Sequence, residues 1–285
     1  MTILITGGTG KSGLKLAKLL QDANYPFLIA SRAGAAPAPF KAVRFDWLDA
    51  TTFENPFTAD PSIDRIYLIG PTVDDMFDRV KPFIDLAFSK GVRRFVLLSG
   101  ALALTLAGGN HPHKLIYQHL LSIGAEYSIL RPTWFMDNFS TVFSHSIKNE
   151  DHVFSLAEDG RIPFVATQDI AQAAFDVLVA ENAPNNMPYL VGPELLSYDE
   201  AAEVFTEVLG RKIIHKRNTR EEQIQFYQQR LGGTKAYAEM LSDLEDKLVA
   251  QGSEVVVFNT DPSEKVVGQV KLRDYIIANK ETFNH

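Results

Sequence analysis

Three glycines at a spacing of three, Gly7, Gly10 and Gly13, stand in the run TGGTGKSG over residues 6–13. The run follows the short apolar stretch Thr2–Thr6 and precedes a stretch with apolar residues at helical spacing. In a strand–turn–helix context, such glycines let the backbone turn sharply and approach a pyrophosphate, and the helix start directs N–H groups at it. Thr9, Lys11 and Ser12 fill the places between them and are assigned to the same ligand. The embedded G-K-S invites comparison with a P-loop, which needs a glycine five residues before that of the G-K-S. Ile5 stands there, so the P-loop fails.

The adenosine end of a dinucleotide is read past the second strand, about 20 residues on. An acid there bonds a free ribose, whereas a basic group suits a 2′-phosphate. Ser31-Arg32 occupies the place and no acid follows until Asp46, so NADPH is favoured over NADH. Asp46-Trp47 closes the next strand, where a carboxylate is able to accept from the adenine amine or to serve as an ordinary loop residue.

Many chains with such a loop carry Tyr-x-x-x-Lys, whose tyrosine protonates a substrate oxygen. No tyrosine here has a lysine four residues later; Lys114 is present, but Asn110 stands at the tyrosine's place. Hydride addition to a ketone leaves an alkoxide that needs a proton, whereas addition to an iminium leaves a neutral amine that needs none. The absence therefore points to C=N reduction or to no redox chemistry. Lys114 is the catalytic candidate; a nicotinamide-ribose contact and a surface position are the other roles open to it. His111, His113 and His119 have no patterned carboxylate beside them. Helical spacing does not gather all three, so no metal is expected.

The elements that must hold these groups alternate. Apolar runs at Thr2–Thr6, Pro26–Ser31, Ala42–Phe45, Arg65–Ile69, Arg94–Leu98 and Tyr127–Leu130 predict strands buried on both faces. Leu14, Ala17, Leu19 and Leu20, then Val80–Phe88 and Lys114–Ile123, predict helices between them. The expected fold is α/β, a Rossmann-type doubly wound parallel sheet over residues 1–155, with 160–180 packing back on it. A smaller, mostly helical substrate lobe is expected over 181–285. Phe135–Ile147, Asp169–Val179, Ser197–Leu209 and most of 219–251 read as helical, with Ser197 and Glu200 as a capping box and Gly210 as a C-cap.

The chain has 285 residues, 46% of them hydrophobic and 22% charged, which is a globular balance. A net charge of -7 gives no basic footprint for nucleic acid. With no cysteine, disulfides and thiolate chemistry are excluded. Neither a signal peptide nor an apolar run of about 20 residues is seen, so a cytoplasmic chain without membrane contact is expected.

The loop TGGTGKSG, residues 113–139, VATQDIAQAAFDVL at 165–178 and VGPELLSYDEAAEVFTEVLGRKI at 191–213 resemble the NmrA-like atypical short-chain dehydrogenases. Along its whole length the chain is most similar to the fungal ergot-alkaloid group, the festuclavine and agroclavine dehydrogenases. That resemblance implies NADP(H) as cofactor and reduction of an iminium in a polycyclic alkaloid intermediate. It places Gly7, Gly10 and Gly13 on the pyrophosphate and Arg32 on the 2′-phosphate. Gly70, Pro71, Ser99, Gly100 and Pro132 would lie at strand ends facing the cofactor. Lys114 matches the lysine of the family's K-x-x-x-E pattern, whose glutamate is Gln118 here. Trp134, Phe135, Met136, Phe139, Tyr227 and Tyr237 are the candidate substrate contacts, their aromatic faces suiting a flat cation. A redox-neutral cyclase or rearrangement enzyme and an NADP-sensing regulator stand beside the reductase as alternatives.

Overall fold

The computed structural model describes residues 1–104, 111–231 and 234–284. Its strands are β1 (Thr2–Thr6), β2 (Phe27–Ser31), β3 (Ala42–Arg44), β4 (Ile63–Leu68), β5 (Arg94–Leu98), β6 (Glu126–Pro132), β7 (His152–Ser155), β8 (Tyr189–Val191), β9 (Ile214–Arg217) and β10 (Lys265–Val267). The main sheet runs β3-β2-β1-β4-β5-β6-β8-β10, and β7 and β9 form a parallel pair of their own. The chain divides into two compact units.

The first unit comprises Met1–Pro71, Asp75–Pro132 and Thr167–Tyr189. Its strands β3-β2-β1-β4-β5-β6 are all parallel, so their carboxyl ends share one edge. The order reverses direction between β1's two neighbours, β2 and β4, where open α/β sheets bind ligands. β1 and β2, apolar but for Thr2, Thr6 and Ser31 at their ends, are buried at every position except Phe27 because helices cover both faces. On one face Leu4, Leu28, Ala30, Phe45, Ile66 and Phe83 join one core. Helix Lys11–Asp22 buries Ser12, Gly13, Leu16, Ala17 and Leu20, a face turned away from the expected Leu14 and Leu19.

Helix Thr167–Val179 packs back in this unit, and two arginines finish it. Arg94 is 2% exposed and donates to the carbonyls of Val177 (2.9 Å) and Ala180 (2.6 Å) and to Glu126 (2.8 Å). Arg65 donates to the carbonyls of Leu178 and Ala180. These guanidinium groups satisfy carbonyls that a helix end leaves unpaired and oppose its negative dipole end. We expect Arg94→Ala to lower unfolding stability by about 3 kcal/mol. Urea titration checks this, and a loss within error of zero would mean that Arg65 alone suffices.

The second unit comprises Thr72–Asp74, Thr133–Ala166 and Leu190–His285. Its core gathers Met136, Phe139, Phe143, Ile147, Phe164, Tyr198 and Phe205. Helix Tyr198–Leu209 starts at the expected capping box, with Ser197 Oγ accepting from Glu200 N–H (3.1 Å) and Glu200 accepting from Ser197 N–H (2.8 Å). Gly210 ends it in the left-handed region at φ 71°. The expected single helix over Phe135–Ile147 is instead two short ones, Asn138–Thr141 and Ser144–Glu150. Phe139, Phe143 and Ile147 still point inward at helical spacing, which is why the pattern read as one helix.

Candidate functional site

The glycine run turns as its composition demands. Gly7 takes φ 62°, a conformation that penalises any Cβ, and its carbonyl accepts from Gly10 N–H at 2.9 Å. A Cβ on Gly13 would lie 2.7 Å from Gly8 Cα and 2.8 Å from the Gly7 carbonyl oxygen. One on Gly8 would meet Ile29 Cγ2 at 2.7 Å. Gly8 was not among the sequence candidates; the doubled glycine of TGGTG is its signal.

Helix Lys11–Asp22 opens on Gly10, with no side-chain cap and no acid in its first turn. Its first intrahelical bond runs from Leu14 N–H to the Gly10 carbonyl (3.1 Å). A positive dipole end with no capping carboxylate or hydroxyl fits an anionic ligand. The Ser12 hydroxyl is turned inward, 3.1 Å from the Tyr67 hydroxyl, and pins the helix start to β4. Burial pushes the Tyr67 phenol above its ordinary pKa, so it stays neutral as this partner. Thr9 and Lys11 lie on the turn itself.

Past β2, Ser31 spends its hydroxyl on closing the turn: it donates to the Ala35 carbonyl (2.7 Å) and accepts from Ala35 N–H (3.1 Å). Arg32 is exposed and makes no ion pair among the described residues. Asp46 Oδ1 accepts from Leu48 N–H at 3.0 Å. The Trp47 ring packs edge-on to Phe45 and Phe83, and its Nε1 donates to the Ile69 carbonyl (3.1 Å). Trp47 thus belongs to the aromatic core that supports the strand ends.

The remaining strand ends carry the expected small groups. Gly70 and Pro71 follow β4, Ser99 and Gly100 follow β5, and Pro132 closes β6, its carbonyl accepting from Ala101 N–H (2.8 Å). Ser99 Oγ is buried without a partner among the described residues. Lys114 sits in the first turn of helix Pro112–Ser122, and its ammonium has no partner among the described residues. His111 Nδ1 caps that helix by accepting from His113 N–H (3.3 Å). Burial lowers the His113 imidazole to about 3, so it is neutral. Asn110 lies outside the described residues.

The aromatic candidates of the second unit separate into two kinds. Met136 and Phe139 are each 1% exposed and belong to the core. Tyr227 is also core: its hydroxyl donates to Glu245 at 2.6 Å. Trp134, Phe135 and Tyr237 are half-buried. Trp134 packs against the cluster of Ile224, Tyr227 and Ala238, and the Tyr237 hydroxyl has no partner among the described residues. These three remain suited to a ligand.

Among the described residues no group of three acidic or imidazole side chains is placed to hold a metal. None of their helices is long and apolar enough to cross a membrane. No family model matches the chain. It is 42% identical to the agroclavine dehydrogenase of Claviceps fusiformis over 291 aligned positions, covering 99% of each chain. It is 39% identical to the festuclavine dehydrogenase of Aspergillus fumigatus, covering 99% of this chain and 98% of that one. In fold it is similar to the NADPH complex of an Escherichia coli NADPH-dependent quinone oxidoreductase, with a TM-score of 0.76 at 18% identity, covering 98% of this chain and 99% of that one. The NADP(H) complex of a Citrobacter triphenylmethane reductase gives a TM-score of 0.73 at 19% identity, covering 99% of both.

Proposed function

Since the chain belongs to the family of agroclavine and festuclavine dehydrogenases and is an oxidoreductase, we propose that it reduces a C=N bond of an alkaloid-type iminium with NADPH. The observation that carries this reading is a nucleotide cradle kept intact in a chain that lacks the phenol acid of ketone reduction. Bound, the nucleotide supplies hydride to the electrophilic carbon, and the product is a neutral amine.

The chain's own residues do the rest. Gly7, Gly8, Gly10 and Gly13 give the pyrophosphate room, and the uncapped helix start opposes its charge. Arg32 would hold the 2′-phosphate. Lys114, without a partner among the described residues, binds the ribose hydroxyls of the nicotinamide half. Trp134 and Tyr237 offer faces to a flat cation. The relatives' names support an alkaloid substrate, and the solved NADPH complexes support the cofactor.

The test adds a cyclic iminium to the protein with NADPH or NADH and follows loss of reduced-nicotinamide absorbance. One NADPH is expected to disappear per amine formed, with NADH much slower. Arg32→Ala should raise the KM for NADPH about tenfold and leave kcat near wild type. Product formed without nucleotide consumption would replace reduction by a redox-neutral reaction.

A further inference from the structure

We propose that Arg44, on the strand beside the one that carries Ser31, is a second determinant of NADPH over NADH; this rests on the NADPH reading above. The parallel register pairs Ser31 with Arg44 at the carboxyl ends of β2 and β3. Leu28 and Ala30 of β2, with Val43 of β3 and Phe45 just after it, face the aromatic core. Side chains alternate along a strand, so Ser31 and Arg44 share the opposite face. The turn after Ser31 lies directly over Arg44: a Cβ on Gly34 would be 3.3 Å from Arg44 Cβ and from its backbone nitrogen. Among the described residues the sheet order ends at β3, so Arg44 lies on an edge strand. Arg44 and Arg32 therefore stand on adjacent strand ends, where a ribose 2′-substituent leaves the site.

The local charge shows why one arginine is not enough. The backbones of Asp46 and Asp49 pair just past β3, with Asp49 N–H donating to the Asp46 carbonyl at 3.0 Å. Arg32 alone would offer a phosphate dianion a single positive charge. Asp49 Oδ1 is engaged by Thr51, through N–H at 3.2 Å and hydroxyl at 2.5 Å. That hydrogen bonding holds the Asp49 carboxyl below its ordinary pKa, so it stays charged. Its Oδ2 then lies 3.5 Å from Arg44 Nη2, in a pair whose arginine side chain is 66% exposed. A loose, exposed pair of this kind holds its partners weakly. It keeps the guanidinium at the strand end while leaving donors for a bidentate grip on a phosphate. NADH, with a free 2′-hydroxyl, gains nothing from it.

The test measures NADPH and NADH dissociation constants for the wild type, Arg44→Ala, Arg44→Lys and Arg32→Ala by nicotinamide fluorescence. Arg44→Ala should weaken NADPH about tenfold and change NADH less than about twofold, with an unchanged melting temperature because the side chain is exposed. Arg44→Lys keeps the charge and loses the fork, so a loss of about threefold is expected. Equal weakening of both nucleotides would make Arg44 a structural residue and overturn the proposal. So would an unaltered NADPH affinity, while a loss confined to Arg32→Ala would leave the underlying reading standing. A wild type that binds both nucleotides equally would overturn the NADPH reading itself.

Discussion

Gly13→Ala is expected to abolish nucleotide binding, with a loss of affinity of at least about a hundredfold, close to 3 kcal/mol. Helix propensity alone would favour alanine at this position by about 1 kcal/mol. Packing opposes it more strongly. The added methyl would lie 2.7 Å from Gly8 Cα and 2.8 Å from the Gly7 oxygen, and both are backbone atoms of the turn itself. No rotamer relieves such a contact, so the helix start must withdraw from the loop. That movement takes the N-terminal dipole away from the pyrophosphate. Gly124→Ala supplies the control: at φ 70° it is strained, yet a methyl there meets nothing within 4 Å. It should cost about 1 kcal/mol of stability and leave affinity unchanged. Fluorescence titration of both variants decides the matter. Equal losses would show that general destabilisation, and not the cradle, controls binding.

The same glycines explain why the first half of the fold was legible. Strands buried on both faces read as unbroken apolar runs, and TILIT and FLIAS are such runs. Glycine at steric contacts leaves a spacing that composition alone reveals. In the second unit the strands are short and mixed. In IHKR of β9, Ile214 is exposed and His215 is buried, the reverse of hydropathy. Tyr198 stacks on that histidine, 28° from parallel, and Ser155 bonds its Nε2 at 2.9 Å. Such partners come from segments far apart in the chain and leave no local signal. Register was equally hidden. Arg32 is found by counting from the loop, whereas the place of Arg44 depends on how β3 lies along β2. Met136, Phe139 and Tyr227 show the converse difficulty. An aromatic residue bound for a core and one bound for a ligand have the same spacing, and burial alone separates them.

Burial also sets the second large effect, at Glu254. This residue is 2% exposed, and its Oε2 has no hydrogen-bond partner among the described residues. Desolvation pushes its carboxyl up to about 8. Glu245 is buried as deeply, but the Tyr227 hydroxyl, Leu156 N–H and the Gln223 amide all donate to it, and it rises only to about 7. A carboxyl whose folded pKa exceeds the unfolded one binds its proton more tightly in the folded chain. Its stabilising contribution is complete below the unfolded value near 4.5 and is lost as pH rises through 8. Glu254→Gln removes that ionisation. The variant should match the wild type near about pH 5 and exceed it near about pH 9 by on the order of 3 kcal/mol. Glu245→Gln should instead destabilise at both, because an amide cannot accept from all three donors. Denaturant midpoints at the two pH values separate these outcomes. A Glu254→Gln variant that tracks the wild type at both would mean that the carboxylate finds a counter-charge or water once ionised, and that burial alone does not govern its titration.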